Sequence, residues 1–203
     1  MTLTLYTNPM SRGRIAHWMM EELSQPYEVT YLDYGTTMKA PEYLAINPMG
    51  KVPALVHDGK VVTECAAICL YVADAFPDAG MMGEDRASFY RWMLFAAGPL
   101  EHAVTNKAFS VKFPAEREGT IGYGNFDQTM QALDTAVSKT KFIAGDRFSA
   151  ADVYVGSQIG WGLQFGTIPE TEALRSYWNR IKDRPARLRA DAADDALIPK
   201  KPE

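Results

Sequence analysis

Apolar positions change their period near residue 80. Ahead of it, short alternating runs predict strands at Leu3-Thr4-Leu5-Tyr6, at Tyr27-Glu28-Val29-Thr30-Tyr31-Leu32, from Val52 to Val56 and from Lys60 to Val62. Between the last two, His57-Asp58-Gly59-Lys60 reads as a hairpin, with Asp-Gly supplying the tight turn. Helical spacing falls between the strands: Ile15, Trp18, Met19, Glu22 and Leu23 share one helix, and Ala67, Ile68, Tyr71 and Val72 another. The predicted order is strand, helix, strand, a short helical crossing, hairpin and helix.

From Glu84 the pattern is helical almost throughout. Phe89 to Lys112 is predicted as one long helix, and Phe126 to Lys139 follows a break at Gly119, Gly122 and Gly124. Ser149-Ala150-Ala151-Asp152 is a capping box: the serine oxygen takes the amide three residues on, and the aspartate reaches back to the serine amide. Phe148 is placed to staple against Val153. Thr171 to Lys182 forms a further helix, and Pro185 marks a break before a short last one. Pro77-Asp78-Ala79-Gly80 is the natural linker. We expect an α/β half over residues 1–78 and an all-α half over residues 84–203.

Composition narrows the function classes. The chain has 203 residues, 47% apolar and 23% charged, enough to bury a core. Its 21 Lys and Arg against 25 Asp and Glu give a net charge of −4, without the basic footprint of a nucleic-acid binder or an anionic-lipid patch. No apolar run approaches the ~20 residues that span a bilayer, and the N-terminus lacks the basic start of a secretory signal. Two cysteines exclude a disulfide scaffold, and His17, His57 and His102 stand singly, so no metal site is expected. Cys65 and Cys69 share a helix face in poor disulfide geometry and read as small buried thiols. A cytoplasmic globular protein is expected.

Four features carry candidate chemistry. Tyr6-Thr7-Asn8-Pro9-Met10-Ser11-Arg12 runs from a strand through a polar turn into a helix start. Ser11 suits a cap there, and the helix N-terminus with its hydroxyl suits an anion such as a thiolate. In Asn47-Pro48-Met49-Gly50-Lys51-Val52-Pro53-Ala54-Leu55, the proline favours a sheet edge. If the Val52–Pro53 bond is cis, Val52 offers its amide and carbonyl to an extended peptide, as an added strand. At Thr63-Glu64-Cys65-Ala66-Ala67-Ile68, free amides from Cys65 onward suit a carboxylate and Glu64 suits an ammonium, the two charges of an α-amino acid head group. Lys39 suits a second carboxylate. Singly, each fits an ordinary cap, an edge proline or a solvated lysine as well.

Together, in order and spacing with the Ser149–Asp152 box, these segments resemble the glutathione transferase superfamily across nearly the whole chain. The resemblance implies a thioredoxin-like N-terminal domain, an all-helical C-terminal domain and a homodimer. It implies glutathione as co-substrate: Val52 ahead of cis Pro53 pairs with the cysteinyl backbone, Glu64 takes the γ-glutamyl ammonium, the Cys65 amide its carboxylate, and Lys39 the glycyl carboxylate. It also implies an apolar pocket for a second substrate, for which Phe109, Phe113, Tyr123, Trp161 and Phe165 are the candidate lining; aromatic residues at these spacings also suit a core.

The sequence departs from the family's pattern in three places. Cys65 stands where the family has serine. The layout is beta-like, yet Met10 stands at that class's catalytic cysteine, and Glu101, beside His102, at its pocket histidine. Ser11 is then the candidate thiolate partner, with Asn8, Thr7 and backbone amides behind it. A free thiol ionises near pH ~8.5, so stabilising the thiolate is the main contribution asked of the protein. Three readings follow: conjugation of glutathione to small electrophiles, glutathione-dependent reduction of disulfides or peroxides, and a non-catalytic module binding apolar ligands or partners.

Overall fold

Residues 2–198 are described by a computed structural model, in which they form two compact units. The first comprises residues 2–81 and 183–198 and the second residues 82–182. The first is built on a four-stranded mixed sheet in the order β2-β1-β3-β4, with β1 at Leu3–Thr7, β2 at Glu28–Tyr31, β3 at Ala54–His57 and β4 at Lys60–Thr63. β1 runs parallel to β2 and antiparallel to β3, and β3 pairs antiparallel with β4. Asp58 and Gly59, at φ 47° and 79°, form the expected tight turn between β3 and β4. This is a thioredoxin-like sheet, completed by α1 (Gly13–Leu23), the short α2 (Pro41–Leu44) and α3 (Cys65–Ala75).

Each strand begins or ends near its predicted place, and the differences have local causes. Val52 and Pro53 stay outside β3 because a proline nitrogen cannot donate to the ladder. Leu5, Ile15, Met19, Leu55, Ile68 and Val72 are buried and fill the space between sheet and helices. A smaller cluster of Leu32, Met38, Tyr43 and Ala54, with Tyr6, Ile46 and Val52 against it, supports the loop ahead of β3. Tyr6 packs there on Tyr43, with ring centroids 5.6 Å apart.

The second unit is helical. The predicted long helix from Phe89 to Lys112 is instead α4 (Arg86–Phe95), a π-helical turn over Ala96–Leu100, and α5 (Glu101–Ala108). Pro99 explains the interruption: it brings no N–H and its ring crowds the preceding turn, so the ladder widens around it. α6 (Phe126–Lys139), α7 (Ala150–Phe165) and α8 (Glu172–Ile181) follow. The Ser149–Asp152 capping box is formed, and its aspartate does more than cap. Its buried carboxylate also accepts from the Ile143 N–H and the Tyr177 hydroxyl, both at 2.8 Å, tying α8 and the preceding turn to the start of α7. Gly160 lets the two helices close, since a Cβ there would meet the Trp178 ring at 2.6 Å.

The last helix departs from expectation. α9 (Pro185–Asp195) is a full 11 residues with Pro185 in its first turn, and it belongs to the first unit, packed on α1. The helical half expected over residues 84–203 therefore gives up its C-terminal helix to the sheet-bearing unit. The seam is ionic: Arg14 pairs with Asp191 and Asp195, Arg184 with Glu22, and Arg189 with Glu21. At its centre His17 Nδ1 lies 3.0 Å from Asp194 Oδ1, both side chains buried.

Candidate functional site

The strand register gathers the predicted segments at one end of the sheet. Tyr6 pairs with Ala54 and Ala54 with Thr63. The turn after β1, the residues ahead of β3 and the residues after β4 therefore leave the sheet together. The start of α3 also touches the start of α1, with Cys65 Sγ 3.7 Å from the Arg12 carbonyl.

Glu64 stands at the N-cap of α3 at φ 67° and ψ 121°, a conformation that non-glycine residues rarely adopt, and its side chain caps nothing. The residue is exposed. The first amides of α3 are thus without a capping side chain, beside a carboxylate held in a strained backbone. That combination places positive helix-terminal charge and a negative side chain within one short segment. Cys65 is buried; its thiol is pushed well above the ordinary range by the hydrogen bond with Cys69 and by burial. It is therefore suited to offering an amide and unsuited to acting as a nucleophile.

The Val52–Pro53 bond is cis. Val52 is partly buried, and among the described residues its backbone groups make no hydrogen bond within the chain. The approach to it is locked by Tyr43, Asn47 and Gly50, whose contacts local pattern does not reveal. The Lys51 carbonyl accepts from the Tyr43 hydroxyl at 2.6 Å and from Asn47 Nδ2 at 2.7 Å, while Asn47 Oδ1 accepts from the Met49 amide at 3.1 Å. Gly50, at φ 57°, has no room for a side chain: a Cβ would lie 2.7 Å from the Met38 carbonyl. Lys39 is exposed and donates to the carbonyls of Met49 at 3.1 Å and Gly50 at 2.8 Å, which fixes its ammonium over this loop.

At the start of α1, the geometry differs from a plain serine cap. Arg12 occupies the cap position, and Ser11 Oγ accepts from the Gly13 amide at 2.9 Å while donating its proton to the Asn8 carbonyl at 2.7 Å. Asn8 is the buried centre of the turn. Its side chain donates to the Leu32 carbonyl at 2.7 Å and accepts from the Met10 amide at 2.8 Å. Turning the Ser11 hydroxyl toward a ligand would strip the Asn8 carbonyl of its donor. That loss, ~1–3 kcal/mol for a buried acceptor, is as large as the ~1.5–3 kcal/mol a charged partner returns. The Ser11 amide has no acceptor among the described residues and keeps its N–H available. Thr7 is wholly buried and its Oγ1 has no partner among the described residues, covered by Gly13. Met10 is 70% exposed.

The five aromatic residues expected to line one pocket do not all meet. Phe113 and Tyr123 line a cleft of about 420 Å³ in the helical unit, together with Asn106, Lys107, Lys112 and Phe126. There Asn106 donates to the Tyr123 hydroxyl at 3.1 Å, and Lys107 lies 4.0 Å from the centre of the Phe126 ring. Phe109 and Phe165 do not line this cleft and are exposed at 78% and 69%, each at the C-terminal end of its helix. Trp161 is half-buried on α7 and also lies outside the cleft. Glu101 is half-buried and accepts from Gln158 at 3.4 Å. No group of three or more His, Cys, Asp and Glu among the described residues is arranged to hold a metal ion.

Known proteins resemble this chain in sequence and in fold. Residues 1–74 match the family model described as the glutathione S-transferase N-terminal domain. The glutathione S-transferase GST-4.5 of Xanthomonas campestris pv. campestris is 29% identical over 88% of this chain and 92% of its own length. Among solved structures, a glutathione S-transferase from Xylella fastidiosa superposes with a TM-score of 0.77 at 27% identity, covering 97% of this chain and 100% of its own. A sphingomonad glutathione S-transferase complexed with glutathione gives 0.77 at 28% identity, with 96% and 100% covered. The chain is thus similar to glutathione transferases over nearly its whole length, with the family-model match confined to its first 74 residues.

Proposed function

We propose that the protein is a glutathione S-transferase that attacks small hydrophobic electrophiles with the thiolate of bound glutathione. The observation that carries the proposal is the uncapped N-terminus of α3 beside Glu64, a two-charge receptor for the α-amino acid head of the tripeptide. In this reading Glu64 takes the γ-glutamyl ammonium, the Cys65 amide its carboxylate, Val52 the cysteinyl backbone ahead of Pro53, and Lys39 the glycyl carboxylate. Ser11 stands where the thiol falls. Its amide and the start of α1 offer positive charge, while its hydroxyl is engaged with Asn8.

The chemistry needs no protein nucleophile. The glutathione S–H gives its proton to solvent, the sulfur forms a bond to an electrophilic carbon, and the leaving group departs with the bonding pair. The protein contributes thiolate stabilisation and proximity. For the second substrate we propose an apolar pocket drawing on Phe113 and Tyr123, which share a cleft with Phe126. The proposed cytoplasmic homodimer, with detoxification as its role, rests on the family resemblance.

Glutathione titrated into the protein with calorimetric detection, followed by turnover of an aryl halide and of a small disulfide, tests the reading. Binding with aryl-halide turnover is the expected result. Disulfide turnover alone favours the reductase, and binding without turnover a ligand-binding module. Absence of binding rejects the glutathione site.

A further inference from the structure

The hydroxyls near the start of α1 differ in what holds their protons. Thr7 is buried beneath Gly13. Ser11 is bonded on both sides, to a buried carbonyl and to an amide of its own helix. The third, Tyr34, comes from the segment after β2. β2 lies parallel to β1 with Thr7 opposite Tyr31, so both chains leave the sheet at the same end. Two hydrogen bonds tie them there, from the Leu32 amide to the Thr7 carbonyl at 2.9 Å and from Asn8 Nδ2 to the Leu32 carbonyl at 2.7 Å. The segment is itself braced, with the Thr37 hydroxyl accepting from the Asp33 amide at 2.7 Å and the Met38 amide donating to the Asp33 carbonyl at 3.2 Å.

From this base Tyr34, 61% exposed, sends its hydroxyl across to donate to the Met10 carbonyl at 3.2 Å. The bond is long, and the acceptor belongs to an exposed residue that water can serve instead. Releasing this proton therefore leaves no buried group unpaired, whereas releasing the Ser11 proton does. We propose that Tyr34, rather than the Ser11 hydroxyl, is the side-chain donor to the glutathione thiolate, an inference that rests on the glutathione reading above. When the thiol has lost its proton to solvent, the Tyr34 hydroxyl leaves the Met10 carbonyl and donates to the sulfur. Once the S–C bond has formed and the leaving group has departed with its pair, the neutral thioether is a weak acceptor and the hydroxyl returns to Met10.

The test is the pH dependence of thiolate absorbance for glutathione bound to the wild-type chain, Tyr34→Phe and Ser11→Ala. Binding of S-methylglutathione, which has no thiol to ionise, serves as the positional control. Tyr34→Phe should raise the bound thiol's pKa by about one unit, a ~tenfold fall in thiolate below that pKa. S-methylglutathione affinity should change less than about twofold. Ser11→Ala should leave the Tyr34-dependent shift in place when the two changes are combined. An unchanged pKa in Tyr34→Phe overturns the proposal alone. Wild-type protein that holds glutathione at an ordinary thiol pKa overturns the transferase mechanism as well, and protein that does not hold it overturns the glutathione site.

Discussion

At the scale of single residues, the most informative is Glu64. Its backbone occupies a region that only glycine visits without strain, and a non-glycine residue there costs ~1–3 kcal/mol. Nothing in its side-chain hydrogen bonding offsets this, because Glu64 caps nothing. Glu64→Gly should therefore stabilise the protein by about 1 kcal/mol after the glycine's extra unfolded-state entropy, measured by urea unfolding. The same variant should weaken glutathione binding about tenfold or more, through loss of a charge-assisted contact. A variant that loses stability would show that the carboxylate serves the fold instead. The identity of Glu64 and its place before a helix were readable from the sequence. Its backbone conformation was not, because Thr63-Glu64-Cys65 contains no glycine to signal a positive φ.

At the scale of elements, caps and breaks behaved differently. The Ser149–Asp152 box was legible because both partners lie within one turn. The start of α4 was not singled out, although Asp85 accepts from the Ala87 amide at 2.9 Å and from the Ser88 hydroxyl at 2.6 Å. Hydrogen bonds from Ser88 and then Ala87 hold the Asp85 carboxyl below its ordinary value. A carboxylate depressed in the folded state contributes stability that is present above the unfolded pKa of ~3.9 and disappears as pH falls through the folded value. The Tm difference between wild type and Asp85→Ala should thus be largest at neutral pH, begin to shrink near ~3.9 and vanish only in acid below the folded value. A difference that persists there would assign the loss to helix propensity instead. The split between α4 and α5 was signalled by Pro99, yet the apolar period continues through it, so periodicity predicted one helix where the backbone makes a π turn.

At the scale of the molecule, the placement of α9 changes the unit to which the C-terminal segment belongs. His17 and Asp194 are 177 residues apart and both buried at its contact with α1. Removing one partner of such a pair leaves the other stranded. Asp194→Ala should destabilise by roughly 3 kcal/mol, lowering Tm by about 6–12 °C at ~2–4 °C per kcal/mol. Arg189→Ala breaks an exposed pair with Glu21 and should change stability by less than ~1 kcal/mol. Equal effects from the two variants, followed by thermal unfolding, would show that the seam is not anchored at His17.

The sequence by itself determined the strand and helix order from Leu3 to Ala75, the tight turn at Asp58-Gly59, the capping box, and the segments proposed to carry the site. These depend on spacing within a few residues, where backbone geometry leaves few alternatives. Tertiary structure decided the rest. It set which unit α9 joins, how Tyr43, Asn47 and Gly50 lock the approach to Val52, and that Phe113 and Tyr123 share a cleft while Phe109 and Phe165 lie outside it. It also decided the state of the Ser11 proton. A serine at a helix start reads as a free donor, but whether its hydroxyl is available depends on a carbonyl three residues back. That carbonyl faces Ser11 because Asn8 is anchored to Leu32, a contact between chain segments that local pattern does not encode.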